Sequence, residues 1–302
     1  MKLATFVHEG RRRVGVVSGD GATVQPMGLS RAEADNGVLS IIRHLADGKT
    51  MPAVEGAPIA LRDTRLQAPI PLPRRNIFCV GRNYHDHAKE LSGSVFKDNS
   101  ANPATWPIVF TKLPECVIGP GEPVQLPGAV SGQIDYEAEL AVVIGKGGRN
   151  IARDDAMAHV FGYTIVNDVT ARDVQMRHQQ WDLGKSFDTF CPMGPWLVTA
   201  DELDGRNTRV RCWVNGELRQ DGRTTDFIFD IPTLIETCSR GITLQPGDII
   251  ATGTPSGVGM GMKPPVFLKA GDTVRIEIDG LGILENRFIE HEGEGARWTT
   301  GS

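Results

Sequence analysis

The sequence predicts a β-rich α+β protein whose main sheet is rolled or folded on itself. From Asn76 onward, short apolar runs of strand length follow one another between turns, and helical patterns are few. Strand and helical patterns do not alternate as they do in βαβ units, which argues against a doubly wound parallel sheet. Asn215-Gly216, within "WVNGELRQ", is a strong hairpin signal between two apolar runs.

The first 72 residues predict a small N-terminal α+β domain. The runs "KLATFVHEG" and "RRVGVVSGD" are typical of a strand hairpin, and "LSIIRHLADG" is typical of a helix that stops at Gly48. The segment "LQAPIPLPRRN" then carries three prolines within five residues, each of which lacks a backbone donor. We therefore divide the chain into residues 1–72 and 73–302. A segment of about 70 residues is only marginally stable alone.

The larger segment contains most of the predicted elements. Its predicted helices span residues 84–91, 154–159, 170–180 and 231–240. Its predicted strands lie in the runs "NIFCVG", "WPIVFTK", "AELAVVIG", "VFGYTIVND", "PWLVTADEL", "RVRCWVNGEL", "DIIATGT" and "TVRIEIDGLGILENRF".

Composition excludes several classes of partner and location. The net charge is −5 and there is no Lys/Arg-rich tract, so neither nucleic acid nor an anionic membrane is expected as the main partner. No apolar run approaches the roughly 20 residues that span a bilayer. The start "MKLATFVHEGRRR" lacks a signal peptide's apolar region. The five scattered cysteines form no CxxC motif and predict reduced, mostly core thiols in the cytoplasm.

The stretch "QIDYEAELAVVIG" predicts a strand that gathers carboxylates. Asp135, Glu137 and Glu139 are spaced by two, so their side chains share one face just where that face becomes apolar. Because close like charges repel and a buried unpaired carboxylate is costly, a cation is expected there. A solvated acidic face is the alternative.

A second acid stands at the end of another apolar strand, in "FGYTIVNDVTARDVQ". Asp168 follows that strand, and Thr170 with Asp173 predicts a helix start with a weak capping box. If the two acidic strand ends meet across one sheet, their oxygens favour Mg²⁺ or Mn²⁺ over zinc. The alternative for Asp168 is an ordinary acid in the turn before a helix.

The segment "GRNYHDHAKEL" places a histidine and a carboxylate on one helical face. His87 and Glu90 are three residues apart, and a carboxylate can orient an imidazole that activates water. The alternative is a surface ion pair. The polar run that follows, "SGSVFKDNSANPAT", is typical of a mobile loop or lid.

Two further stretches offer polar groups. Lys185, in "LGKSFDTFCPMGPW", is flanked by Phe187 and Phe190, which favours partial burial. Small residues in "ATGTPSGVGMG" allow backbone N–H groups to approach an anion such as a carboxylate, although the P-loop spacing is absent. An ordinary tight turn is the alternative.

Together these stretches resemble the fumarylacetoacetate hydrolase family. The six matching blocks are "GRNYHDHAKEL", "DYEAELAVVIG", "GYTIVNDVTARDVQ", "GKSFDTFCPMGPW", "VNGELRQ" and "GDIIATGTPSGVG", and they stand in the family's order. The N-terminal segment resembles the small first domain of longer bacterial members. The resemblance implies a mixed β-sandwich roll for the catalytic segment 73–302, and a homodimer.

The resemblance also implies a site. It implies Mg²⁺ or Mn²⁺ held by Glu137, Glu139 and Asp168, whereas Asp135 is not assigned as a ligand. It implies catalytic roles for His87, Glu90 and Lys185. By the same resemblance, three further residues are expected to contact the small-molecule 2-oxo acid substrate: Arg82, Gln175 and Thr254.

The implied reaction is cleavage of a C–C bond in a 2-oxo acid such as an acylpyruvate or fumarylpyruvate, through a metal-bound enolate. The presence of both His87 and Glu90 favours hydrolysis slightly. Other reactions that use the same enolate remain open. They are decarboxylation or tautomerisation of oxaloacetate and isomerisation of 2-hydroxyhepta-2,4-diene-1,7-dioate. A non-catalytic metal-binding protein is the alternative from another class.

Overall fold

A computed structural model describes residues 1–91, 106–177 and 180–290 of the protein, with the Leu91 side chain left out. The described strands are β1 (Lys2–His8), β2 (Arg11–Val17), β3 (Thr23–Pro26), β4 (Ile59–Ala60), β5 (Arg65–Gln67), β6 (Ile77–Gly81), β7 (Ile108–Lys112), β8 (Val117–Ile118), β9 (Val124–Leu126), β10 (Ile134–Asp135), β11 (Ala138–Ile144), β12 (Val160–Asn167), β13 (Thr170–Ala171), β14 (Cys191–Thr199), β15 (Arg209–Val214), β16 (Glu217–Arg223), β17 (Ile249–Ala251), β18 (Thr273–Ile278) and β19 (Gly282–Glu290). The predicted loop at 92–105 lies outside the described residues.

The helices are short and few. The α-helices are α1 (Arg31–Asp35), α2 (Leu39–Ala46), α3 (His85–Leu91), α4 (Arg172–Gln175), α5 (Asp182–Lys185) and α6 (Ile231–Ser239). Single 3₁₀ turns or short 3₁₀ helices cover Leu61–Asp63, Pro114–Cys116, Arg153–His159, Thr224–Asp226 and Gly259–Gly261. The β-rich α+β class predicted from the sequence is therefore confirmed. No described helix combines the length and apolarity needed to cross a membrane.

One twelve-stranded sheet runs through the described chain in the order β4-β3-β2-β1-β14-β12-β11-β17-β6-β7, with β5 paired to β1 and β8 to β14. The N-terminal strands extend this sheet, because Lys2 and Leu3 of β1 pair antiparallel with Val198 and Leu197 of β14. The division at residues 72 and 73 stays a prediction, since the first segment shares its sheet with the rest.

Each face of this sheet is covered by a different layer. Leu140 and Val142 of β11 belong to a core shared with the five-stranded sheet β16-β15-β18-β19-β9. Ala141 and Val143, on the opposite face, belong to a second core that contains Ile41 and Ile42 of α2. Strand β11 is therefore buried on both faces, which explains its continuous apolar run.

The Asn215-Gly216 hairpin is confirmed. Val214 of β15 pairs with Glu217 of β16, and both turn residues have positive φ, 52° and 81°. A two-residue turn of this kind matches the twist of the flanking strands.

Two local predictions are wrong and a third is refined. The predicted strand at 133–145 is interrupted between β10 and β11, because Asn167 Oδ1 and Gln220 Oε1 accept from the N–H groups of Glu137 and Ala138. Residue 170 does not start a helix, since Thr170 pairs with Asp135 in the small β10–β13 sheet and α4 begins at Arg172 without a side-chain cap. The helix predicted at 154–159 is present, as the 3₁₀ helix Arg153–His159.

The strand predicted in the run "PWLVTADEL" begins earlier than expected. Strand β14 starts at Cys191, so residues 191–194 extend it. The five cysteines are free and buried, as predicted.

Ile41→Ala is expected to lower the free energy of unfolding by about 2–5 kcal/mol, because its fully buried side chain fills the core that α2 shares with the large sheet. Leu45→Ala, at a 36% exposed position of the same helix, is the control and should cost less. Urea unfolding followed by circular dichroism checks this. An early, separate transition for the N-terminal segment would contradict the shared core.

Candidate metal and active site

Three buried carboxylates converge where β11 begins and β12 ends. Ala138 pairs with Asn167 across these strands, and the Asp168 N–H donates to the Glu137 carbonyl at 2.9 Å. One carboxylate oxygen each from Glu137, Glu139 and Asp168 lies within 4.8 Å of the other two. The two acidic strand ends therefore meet, as the sequence predicted.

Three buried cations surround these acids. Lys185 Nζ donates to Glu137 Oε2 at 2.7 Å and to Asp168 Oδ2 at 2.8 Å. Lys112 Nζ donates to the other Asp168 oxygen at 2.7 Å. Arg172 Nη1 lies 2.7 Å from Glu137 Oε1. The cations fix the orientation of two carboxylates and reduce their mutual repulsion.

Glu139 differs from its neighbours because it forms no ion pair with any described residue. Its Oε2 accepts a hydrogen bond from the Gly253 N–H at 2.9 Å. Burial, together with the charges of Asp168 and Glu137, holds the pKa of Glu139 well above its usual range. For Glu137, burial is outweighed by Lys185 and Arg172, which lower its pKa to about 2.

Asp135 lies next to this cluster, and its carboxylate is bonded by other groups of the protein. Its carboxylate accepts from Arg172 Nε at 2.9 Å and from the backbone N–H groups of Gly259 and Met260 at 2.7 and 2.9 Å. With Asp135 counted, four buried carboxylates face three buried cations, Lys112, Arg172 and Lys185. With all four carboxylates ionised the cluster would have one negative charge in excess, and the carboxylate that pairs with no described cation is Glu139, whose raised pKa favours the protonated form until a further cation is present.

A divalent cation fits this arrangement. The available donors are carboxylate oxygens, which Mg²⁺ and Mn²⁺ prefer, and no described histidine or cysteine belongs to the group. A cation would also supply the positive partner that Glu139 lacks. Glu137, Glu139 and Asp168 are therefore the residues that could hold it.

The predicted site residues surround one small cavity of about 20 Å³. Seven of the nine line it: Arg82, His87, Glu137, Glu139, Gln175, Lys185 and Thr254. Asp168 and Glu90 are joined to it through Lys185 and His87. This volume is room for an ion or a water molecule.

His87 and Glu90 form the predicted pair on α3. His87 Nδ1 lies 3.0 Å from Glu90 Oε2, and the imidazole is only 3% exposed, so the surface-pair alternative is wrong. The other Glu90 oxygen accepts from the Gly257 N–H at 3.0 Å. With Glu90 accepting at Nδ1, Nε2 is left as the imidazole's basic nitrogen.

Arg82 and Gln175 have side-chain donors that bond no described residue. The Arg82 backbone has a positive φ of 54°, and its Nε is buried without a hydrogen-bond partner among the described residues. Gln175 accepts from Arg172 Nη1 through Oε1 at 3.2 Å, which fixes the amide orientation. In contrast, the Thr254 hydroxyl is already used, since it donates to the Ala138 carbonyl and accepts from Gln220 Nε2.

The burial of Lys185 is confirmed, but its aromatic neighbour was not predicted. Its Nζ lies 4.9 Å from the ring centroid of Phe110, whereas Phe187 and Phe190 pack on each other. The glycine-rich stretch does present N–H groups to carboxylates, and these are the protein's own: Glu139, Glu90 and Asp135.

Sequence reasoning missed Lys112 and Arg172. Lys112 is fully buried and donates to Asp168, to the Val169 carbonyl at 3.2 Å and to the Lys185 carbonyl. The only signal for Lys112 is a lysine at the end of the apolar run "IVF", and for Arg172 a basic residue close to Asp168. Neither pattern distinguishes a buried cation from a surface one.

Similarity to known proteins identifies the family of this chain. The family model described as "Fumarylacetoacetate (FAA) hydrolase C-terminal" matches residues 76–289. The chain belongs to the fumarylacetoacetate hydrolase family. Reactions in this family are metal-dependent and act on 2-oxo acids.

Several relatives are similar over most of their length. "Oxaloacetate tautomerase YisK" of Bacillus subtilis is 54% identical over 76% of this chain and 74% of the relative. The fumarylacetoacetate hydrolase structure from Exiguobacterium antarcticum has a TM-score of 0.82 and 41% identity, covering 96% of this chain and all of that one. The maleylpyruvate hydrolase from Sphingobium sp. SYK-6, in complex with manganese(II) ion and pyruvate, has a TM-score of 0.75 and 34% identity, covering 97% and 100%. These neighbours confirm the family's fold.

Glu139→Gln is expected to weaken Mn²⁺ binding by about 100-fold or more, because it removes the carboxylate that lacks a protein cation. Isothermal titration with Mn²⁺ checks this. Glu236→Gln, a change at a helix position away from the cluster, is the control. Unchanged Mn²⁺ affinity in Glu139→Gln would show that the three acids hold no metal.

Lys112→Met is expected to lower Mn²⁺ affinity by about 10- to 100-fold, because Asp168 then loses the donor that fixes its Oδ1. The change leaves all three carboxylates in the sequence. Lys112→Arg should not restore it, since a guanidinium does not fit the fully buried ammonium position. The same titration measures both variants. Wild-type affinity in a folded Lys112→Met protein would contradict this role.

Proposed function

We propose that this protein catalyses the keto–enol tautomerisation of oxaloacetate with Mg²⁺ or Mn²⁺ bound by Glu137, Glu139 and Asp168. The observation that carries the proposal is one cavity shared by an oriented imidazole, a buried carboxylate cluster and an arginine donor, Arg82 Nε, that bonds no described residue. The similarity to an oxaloacetate tautomerase at 54% identity supports this reaction over others of the family.

The reaction requires a proton to be moved between C3 and the oxygen on C2. When bound, the cation supplies a Lewis acid that stabilises negative charge on that oxygen. His87 Nε2 removes the proton from C3, and Glu90 holds the imidazole in the tautomer that makes Nε2 basic. Lys185 Nζ donates a proton to the C2 oxygen, and both groups exchange with solvent to restore their starting states.

The dicarboxylate substrate needs further positive groups. Arg82, whose Nε bonds no described residue, is suited to the carboxylate remote from the cation, since a guanidinium binds carboxylates in a fixed geometry. The amide N–H groups of Gln175, for which no described residue supplies an acceptor, point to a second contact, because the bond from Arg172 to Oε1 fixes the amide orientation. Thr254 is better explained as a wall residue, because its hydroxyl already bonds Ala138 and Gln220.

Hydrolysis of an acylpyruvate is the second candidate. The His87–Glu90 pair favours it, because the same imidazole can activate water for attack on a carbonyl. The similarity to the Sphingobium maleylpyruvate hydrolase, at 34% identity, is weaker than that to the tautomerase.

The test is the rate at which enol-oxaloacetate is lost, followed by ultraviolet absorbance with Mn²⁺ present and compared with a metal-only blank. We expect the wild type to exceed the blank, and His87→Asn to lose about 10²- to 10⁴-fold in kcat with Mn²⁺ affinity retained. His8→Asn, at a half-buried position in β1, is the matched control.

Product analysis by NMR separates the alternatives. A hydrolase would release pyruvate and a second carboxylic acid from acetylpyruvate or fumarylpyruvate. If these products form and enol loss is not accelerated, hydrolysis replaces tautomerisation as the protein's reaction. Pyruvate and CO₂ from oxaloacetate would instead show a decarboxylase. Metal binding without turnover of any of these substrates would leave a non-catalytic metal-binding protein.

A further inference from the structure

The turn after strand β6 is held by one buried amide side chain. Asn83 is fully buried and is not among the residues that line the cavity of the candidate active site. Its Nδ2 donates to the Thr252 carbonyl at 2.8 Å and to the Phe229 carbonyl at 3.0 Å, and its Oδ1 accepts from the Phe229 N–H at 2.8 Å. Both amide hydrogens are therefore used, and these three bonds fix the orientation of the amide.

One of these bonds leads to a proposed metal ligand. The Thr252 carbonyl and the Gly253 N–H belong to the same trans peptide, so they point in opposite directions. Asn83 donates to the carbonyl on one side, and the N–H on the other side donates to Glu139 Oε2 at 2.9 Å. Because hydrogen bonds in such a chain polarise one another, the Asn83 bond both orients the peptide and strengthens its donation to Glu139.

The residues on either side of this peptide allow the close approach. Gly253 has a φ of 99°, and a Cβ there would lie 2.8 Å from the Asn83 Cβ, so a larger residue would push the amide away. The N–H and the hydroxyl of Thr252 both donate to the Leu140 carbonyl, at 3.0 and 2.8 Å. The peptide is thus fixed to β11 at its start and enclosed between Asn83 and Glu139.

The other bonds of Asn83 hold the residue before it in the chain. Arg82 has a positive φ of 54°, a conformation that is uncommon for a residue with a side chain and persists where its surroundings impose it. The Asn83 side chain bonds both backbone groups of Phe229, and the Asn83 carbonyl accepts from the Ile228 N–H at 2.8 Å. Removing the amide would therefore loosen the turn that places Arg82 at the cavity.

We infer that Asn83 is a positioning residue that fixes two parts of the site at once, Glu139 through the Thr252–Gly253 peptide and Arg82 through the turn. Asn83 does not line the cavity, so it acts only through these groups. The part of the inference that concerns Arg82 rests on the proposed function. The part that concerns Glu139 depends on the metal site and not on the reaction.

Asn83→Ala tests this, with Asn286→Ala as the matched control. Asn286 is also buried, at 2% exposure, and its Nδ2 also donates to two carbonyls, those of Gly119 and Glu122, but none of these residues lines the cavity. Both variants should lose stability to urea, because each leaves two buried carbonyls without a donor. Isothermal titration should show Mn²⁺ binding weakened by about tenfold or more in Asn83→Ala and unchanged in Asn286→Ala.

Two further measurements separate positioning from general stability. In the metal-free proteins, hydrogen exchange of the Gly253 amide, followed by mass spectrometry, should be faster in Asn83→Ala and unchanged in the control. The KM for oxaloacetate should rise in Asn83→Ala with kcat less affected, because Arg82 holds the same carboxylate before and during the reaction. Asn83→Ser keeps one hydroxyl donor and should give smaller changes in the same directions, so it carries the test if Asn83→Ala does not fold.

The inference is wrong if the folded Asn83 variants keep wild-type Mn²⁺ affinity and Gly253 exchange. Equal changes in Asn286→Ala would also overturn it, because they would reflect lost stability alone. An unchanged KM in an active Asn83 variant would remove Arg82 from the inference. If the wild type does not tautomerise oxaloacetate, the proposed function fails, whereas Mn²⁺ affinity and Gly253 exchange still decide the role of Asn83 towards Glu139.

Discussion

The structure depends on holding like charges together in its interior. Glu137, Glu139 and Asp168 are buried where two neighbouring strands end, at separations where carboxylates repel strongly unless cations intervene. Lys112 at the end of β7, Arg172 in α4 and Lys185 in α5 supply those cations. These three elements are thereby held against the acid cluster. Moving one of them away would leave a buried charge unpaired, which is strongly destabilising.

Backbone N–H groups also stabilise the buried carboxylates. The loop after β17 directs the N–H groups of Gly253, Gly257 and Gly259 at Glu139, Glu90 and Asp135 respectively. Hydrogen bonds of this kind stabilise carboxylates without placing another cation beside them. Gly257 has a φ of 103°, and a Cβ there would lie 1.9 Å from the Arg219 carbonyl oxygen, so only glycine fits. The same loop therefore hydrogen-bonds both the His87–Glu90 pair on α3 and the acid cluster.

The sequence predicted the acids more completely than their partners. Glu137 and Glu139 could be found because their spacing of two precedes an apolar run, and Asp168 because it ends another. Lys112 lies 56 residues from Asp168, and Arg172 lies 37 from Asp135, so only the folded topology brings them together. The strand break at Tyr136 and Glu137 was missed for the same reason, since side chains of Asn167 and Gln220 replace the ladder bonds.

Local sequence patterns predicted the fold class because two of them reflect how the residues pack and turn. Strand β11 is apolar on both faces because two separate cores pack on it, and Asn215-Gly216 adopts the turn that its residues favour. The way the N-terminal strands extend the large sheet was not visible in the sequence, because β1 pairs with a strand almost 200 residues away. The predicted homodimer and the site roles carried by the resemblance stay predictions.

The most direct test of the account is an anomalous-scattering map from crystals grown with Mn²⁺. The account predicts a peak bounded by the carboxylates of Glu137, Glu139 and Asp168, next to the cavity that His87 and Lys185 line. A map with no peak at this cluster, or with its main peak on other residues, would contradict the claim that these buried acids are held together to bind a divalent cation.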